Sequence, residues 1–161
     1  MQNEVVPVQI KAILPTSAGA AIFLGNEEKV FVIHVEHTMG AVISMFIQKT
    51  EKPRPLTHDL INSMFTAFGI EVLRVVITEL RNSTYYARLI LKQENELGKK
   101  IVELDARPSD SIALATAHGK PIYVAKSLWE QVEDMSAELA AAQGQWQLEQ
   151  EEEEDEEEDE E

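Results

Sequence analysis

The chain has 161 residues, enough for one domain with an appendage, and a formal net charge of −15. Of its 29 acidic residues, 12 fall from Glu149 onward, where no basic residue occurs, so the preceding part sets 17 acids against 14 Lys and Arg and carries only −3. That small figure leaves a polyanionic partner open, while the absence of cysteine excludes a disulfide framework, a thiolate metal site and a catalytic thiol.

Three apolar stretches come first, Val5 to Leu14, Ala20 to Leu24 and Val30 to Val35, separated by turn-forming residues, and they predict a meander of strands. The period then changes. Met39, Val42, Ile43, Phe46 and Ile47 recur at helical spacing, and Leu60, Ile61, Met64, Phe65 and Phe68 do so again after Pro53-Arg54-Pro55. Alternation returns from Glu71, with Leu73, Val75 and Ile77 expected on one face and Val72, Arg74, Val76 and Thr78 on the other. Tyr85, Ala87, Leu89 and Leu91, then Val102 and Leu104, continue the pattern and complete an antiparallel unit. A helix opened by Pro108, a short strand at Pro121 to Val124 and a last helix from about Ser127, with Leu128, Val132, Met135 and Leu139 on one stripe, follow.

Strands and helices in groups predict an α+β fold, a mostly antiparallel sheet of short strands with packed helices in a single domain. The expected divisions are an α+β domain over 1–126, a C-terminal helix over 127–148 and an acidic tail over 149–161. A run of like charges cannot bury enough surface to offset the entropy of ordering it, so that tail is expected to be disordered. The opening MQNEVVPVQ lacks the basic and apolar pattern of a secretory signal, and no apolar run approaches the roughly 18 residues of a membrane span. A soluble cytoplasmic protein without membrane contact is the expectation.

The segments RPLTHDL (Arg54 to Leu60), VVITEL (Val75 to Leu80), Tyr85-Tyr86-Ala87-Arg88-Leu89, DARPSDSIALA (Asp105 to Ala115) and Pro121-Ile122-Tyr123-Val124 together resemble the bifunctional nuclease (BFN) domain family, over roughly residues 5 to 126. The resemblance implies a nuclease acting on DNA and RNA, with nucleic acid as partner; phosphodiester hydrolysis by most nucleases uses carboxylate-bound Mg²⁺ or Mn²⁺, which makes a divalent ion the candidate cofactor. The chain departs from the family's usual pattern around Val32 to Gly40, where it has Glu36 and Met39-Gly40.

Phosphodiester hydrolysis calls for acids beside His and Arg. The first cluster is Arg54, His58 and Asp59: Thr57 suits an N-cap, so His58 and Asp59 either serve chemistry in the first turn or merely cap and edge the helix. The second is Asp105, Arg107, Ser109, Asp110 and Ser111, a helix entrance that either pairs strand to helix or holds a phosphate or metal. The reading adopted gives His58, Asp59 and Asp105 catalytic roles, Arg54, Arg107, Ser109 and Ser111 phosphate contacts, and Asp105 and Asp110 a metal. His34, Glu36 and His37 alternate along a strand and cannot share one ion without a turn. His118, beside Gly119 at a helix end, suits a cationic ring. No basic stripe with interleaved aromatics appears, so nucleic-acid affinity is expected to be modest. The alternative is a non-catalytic binding or regulatory module of the same fold, a symmetric homo-oligomer whose exposed strand edges and final helix bind a protein or small ligand.

Overall fold

The computed structural model describes residues 4–159, with side chains in the last helix described as far as Gln147. In chain order the elements are β1 (Val5–Thr16), β2 (Gly19–Gly25), β3 (Val30–Val35), α1 (His37–Gln48), α2 (Thr57–Ala67), β4 (Ile70–Arg81), β5 (Thr84–Asn95), β6 (Gly98–Ala106), α3 (Pro108–Ala117), β7 (Ile122–Ala125), α4 (Lys126–Gln131) and α5 (Ser136–Asp159). The expected α+β class holds, although β1, β4 and β5 each reach 12 residues.

The two predicted antiparallel units form one seven-stranded sheet, in the order β3-β2-β1-β7-β4-β5-β6. The join is β7. Its residues pair antiparallel with Val5 to Val8 of β1 and parallel with Val75 to Ile77 of β4. A four-residue strand that late in the chain thereby fixes how the two halves meet. The sheet curls strongly enough that Phe31 of β3 lies 5.9 Å, ring to ring, from Tyr85 of β5.

Helices α1 and α3 pack together on the inner face, where Ile22, Leu24, Phe31, Ile43, Val75, Ile77, Ala87, Leu89 and Ile112 form the main core. Each fully buried aliphatic side chain there contributes about 1.5–3 kcal/mol. Gly40 lets α1 come this close: a Cβ in its place would stand 2.5 Å from the Ala20 methyl on β2. That contact draws the N-terminal end of α1 down onto the sheet.

Three expectations shift. In β4, register irregularities between Val72 and Arg74 and between Ile77 and Glu79 break the strict alternation, so Val72 joins Val75 and Ile77 in the core instead of facing away with Arg74. In α2, Ile61 and Phe65 pack against the core while Leu60, Met64 and Phe68 stay exposed. The predicted last helix is two. Leu128 and Val132 enter the main core, whereas Met135 and Leu139 pack with Ala21, Phe23 and Val30 on the outer face of β1-β2-β3. Asp134 makes the break, its Oδ1 accepting from the N–H of Ser136 at 3.1 Å and from the N–H of Val30 at 3.1 Å.

The backbone of α5 carries on through the acidic run that composition marks for disorder. Side chains from residue 148 and the whole of 160–161 lie outside the described residues. Among the described residues no helix is long and apolar enough to cross a membrane.

Candidate functional site

Pro108 opens α3 at its first helical position with Arg107 as N-cap, and no side chain caps that end; Pro108 has no N–H and that of Ser111 bonds Arg107 O, which leaves those of Ser109 and Asp110. Asp110, in the first turn, bonds elsewhere. Its Oδ1 accepts from His58 Nε2 at 2.9 Å and its Oδ2 from Arg107 Nε at 3.0 Å. Arg107 Nη1 also stands 3.8 Å from Glu36 Oε1. Two segments about fifty positions apart in the chain, together with the end of β3, thus meet in a chain running His58, Asp110, Arg107, Glu36.

Burial pushes the Asp110 carboxyl up, but hydrogen bonds from Arg107 and His58, with their charge, outweigh it and hold the group below its ordinary value. An ionised carboxylate only accepts, so the proton of the His58–Asp110 bond sits on Nε2. Because the folded-state value is depressed, the stabilisation is complete above the ordinary carboxylate pKa of about 3.9 and is lost as pH falls through the folded value. The stability gap between wild type and Asp110→Asn, followed by urea unfolding, should therefore be widest near neutral pH and close below about pH 4. A gap that ignores pH would show that the carboxylate charge is not what the contacts use.

Beside this corner lies a cleft of about 300 Å³ between the end of β3, the β4–β5 turn and the start of α3, lined by His34, Glu36, Thr84, Tyr85, Arg107 and Ser109 among others. Asn82 and Ser83, both with positive φ, make the tight turn that sets Thr84 and Tyr85 at its wall. His34 and Glu36 lie two apart in extended backbone and so share a side, as the sequence indicated; His37 instead begins α1. Burial pushes the Tyr85 phenol up, which keeps it a hydrogen-bond donor. A larger cleft of about 740 Å³ at the far ends of α1 and α3 offers Lys11, Lys120 and Glu27 but no histidine.

Of the residues singled out, Arg107, Asp110 and Ser109 meet at this corner and His58 supports it, 7% exposed behind Asp110. Asp59 is engaged elsewhere: its Oδ2 accepts from the N–H of Leu56 at 2.8 Å and its Oδ1 faces Lys52 Nζ at 3.3 Å. Leu56, not Thr57, is the N-cap, because Asp59 reaches back to satisfy that N–H. Arg54 is exposed in the preceding loop and takes part in no ion pair among the described residues. Asp105 pairs in register with Arg88, while its neighbours Leu104 and Ala106 oppose the core residues Leu89 and Ala87, so alternation puts Asp105 on the outer face, away from α2 and α3. It cannot share an ion with Asp110.

Ser111 is fully buried and its Oγ has no partner among the described residues, out of reach of any phosphate. Ser111→Ala removes an unsatisfied hydroxyl, so thermal unfolding should show a variant as stable as wild type or better by about 1 kcal/mol. A drop in stability would mean the hydroxyl has a partner. His118 differs from expectation too: burial, then the charge of Lys120, lowers its pKa, and the neutral ring bonds Asn62 Oδ1 through Nε2 at 2.8 Å.

A family model described as the bifunctional nuclease domain matches residues 22–136, which takes in the cleft, His58 and the whole of α3. The chain belongs to the bifunctional nuclease domain family. An uncharacterized protein of Mycobacterium tuberculosis (strain CDC 1551 / Oshkosh) is 37% identical over 106 residues, 66% of this chain and 60% of that protein. Bifunctional nuclease 1 of Oryza sativa subsp. indica is 33% identical over 93 residues, 57% of this chain and 28% of that protein, and the bifunctional nuclease of Oryza minuta matches to the same extent. The chain thus spans less than two thirds of these relatives' length.

The divalent ion implied by the bifunctional nuclease family finds no fitting donor set at this corner. Both oxygens of Asp110 accept from cations or N–H groups, Glu36 faces the Arg107 cation, and among the described residues no three His, Asp or Glu side chains gather as ligands.

Proposed function

We propose that this chain is a nuclease that hydrolyses phosphodiester bonds of DNA and RNA in the cleft beside α3. The supporting observation is that Arg107 and His34 line one cleft at an uncapped helix N-terminus. A helix start beside a guanidinium suits a phosphate, since N–H groups and the dipole favour negative charge. Asp110 orients Arg107, and His58, buried behind it, positions Asp110. His34, exposed and on the side of Glu36, is the group placed to pass a proton to or from the attacking water or leaving oxygen. Tyr85 supplies a donor from the wall.

His34, not His58, takes the catalytic role, because the His58 ring is 7% exposed and already bonded to a carboxylate, better placed to hold than to react. Affinity rests on few cations, so binding to nucleic acid should be modest and salt-dependent.

The test is cleavage of single- and double-stranded DNA and RNA, assayed with Mg²⁺, with Mn²⁺ and with EDTA, for wild type, Arg107→Ala and Asp105→Ala. Wild type and Asp105→Ala should cleave, and Arg107→Ala should lose both rate and affinity. Equal activity in wild type and Arg107→Ala would place the reaction elsewhere.

A further inference from the structure

The two edges of the sheet are treated differently. At β3 the chain itself ties down the start of the edge: Val30 donates its N–H to Asp134 Oδ1, Val30 O accepts from the N–H of Met135 at 2.6 Å, and Lys29 Nζ reaches the carbonyls of Trp129 and Val132. At the other end, β6 has only β5 beside it, and among the described residues nothing covers its outer edge. Proteins usually blunt such an edge with a proline, a bulge, a short strand or charged side chains. Of these devices β6 carries only charge. It runs nine residues, Gly98 to Ala106, in unbroken register with β5, and exposes Ile101 (51%) and Leu104 (42%).

Its charges are also sorted. Lys99 and Lys100 occupy the first half, Glu103 and Asp105 the second. A parallel copy would set like charge against like, whereas an antiparallel copy sets lysine against acid. For a two-fold axis through the sheet, facing residues must lie on the same face, and the register centred on Val102 pairs all nine residues while matching Lys99 with Asp105 twice. One strand inward, Gln93 Nε2 donates to Phe68 O just past the end of α2, where Phe68 is exposed.

We propose that two copies of this chain join antiparallel through β6 about an axis at Val102, which makes one continuous sheet across the pair. Lys99 of each copy faces Asp105 of the other, Ile101 faces Glu103, and Leu104 faces Lys100, whose aliphatic stem lies along it. The outward N–H and C=O groups of β6 then bond to the second copy.

Sedimentation equilibrium of the full chain at low salt should give twice the 18.1 kDa mass. Lys99→Glu should weaken association about tenfold, and adding Asp105→Lys to it should restore it, since the pair is then reversed. The chain has no cysteine, so Val102→Cys places a single thiol opposite its own copy, within disulfide reach at roughly 4.5–5.5 Å between Cα atoms. Mild oxidation should cross-link it into a dimer, while Lys99→Cys, roughly 20 Å from its copy, should stay uncross-linked. A wild-type mass of 18.1 kDa overturns the proposal. So does a dimer that ignores Lys99→Glu and leaves Val102→Cys uncross-linked.

Discussion

Exchanging His34 for alanine should slow phosphodiester cleavage by about 10²–10⁴-fold near neutral pH, the range that a positioned proton-transfer group contributes. Stability should hardly change, because His34 is exposed. The neighbouring His37 supplies a control in the same segment: it starts α1, outside the lining of the cleft, so His37→Ala should leave the rate within about twofold of wild type, as for other groups outside the reacting geometry. His58→Ala should differ from both. It frees one oxygen of Asp110 and lets the Arg107 pair drift, so substrate affinity and stability should fall together. Full cleavage by His34→Ala would remove the proton-transfer role assigned here.

The largest loss of stability should come from Ile112→Ala, about 2–5 kcal/mol against the 5–15 kcal/mol that holds a typical domain. Ile112 is fully buried in the main core one turn behind the helix entrance. Removing its methyls leaves a cavity beneath the element that carries Arg107, Ser109 and Asp110. Ile112→Val should cost only about 0.5–1.5 kcal/mol. Denaturant unfolding measures both, and a cost below about 1 kcal/mol for alanine would mean that α3 is not anchored through this residue.

Period and turn chemistry show through the sequence where one rule acts alone. Strands β1 to β3 are apolar stretches set between clear turn signals, and Pro108 marks the start of α3 because its missing N–H costs nothing at that position. Val72 escapes because a bulge adds a residue that no propensity announces. The single stripe drawn through Leu128 to Leu139 failed at Asp134, whose carboxylate serves two backbone N–H groups, one of them on a strand about a hundred positions away.

The site was half visible for a similar reason. Asp110 and Arg107 lie three apart and can be seen to meet, whereas their link to His58 and Glu36 depends on how β7 joins the sheet halves. Asp105 was drawn to the wrong cluster by its nearness in sequence, although the alternation of β6 already assigns it to the face of Glu103. The alternation of His34 and Glu36 along a strand bears, in sequence, only on whether they share an ion. Nothing local shows that the curl of the sheet sets them opposite Tyr85.

The most direct measurement is an amide chemical-shift titration of the full chain with a short single-stranded oligonucleotide at low salt. The account predicts shifts centred on Ser109, Asp110 and the β4–β5 turn, which Arg107→Ala abolishes. Shifts centred instead on Arg74, Arg88 and Tyr123, which line a cleft on the outer face of the sheet, would contradict it.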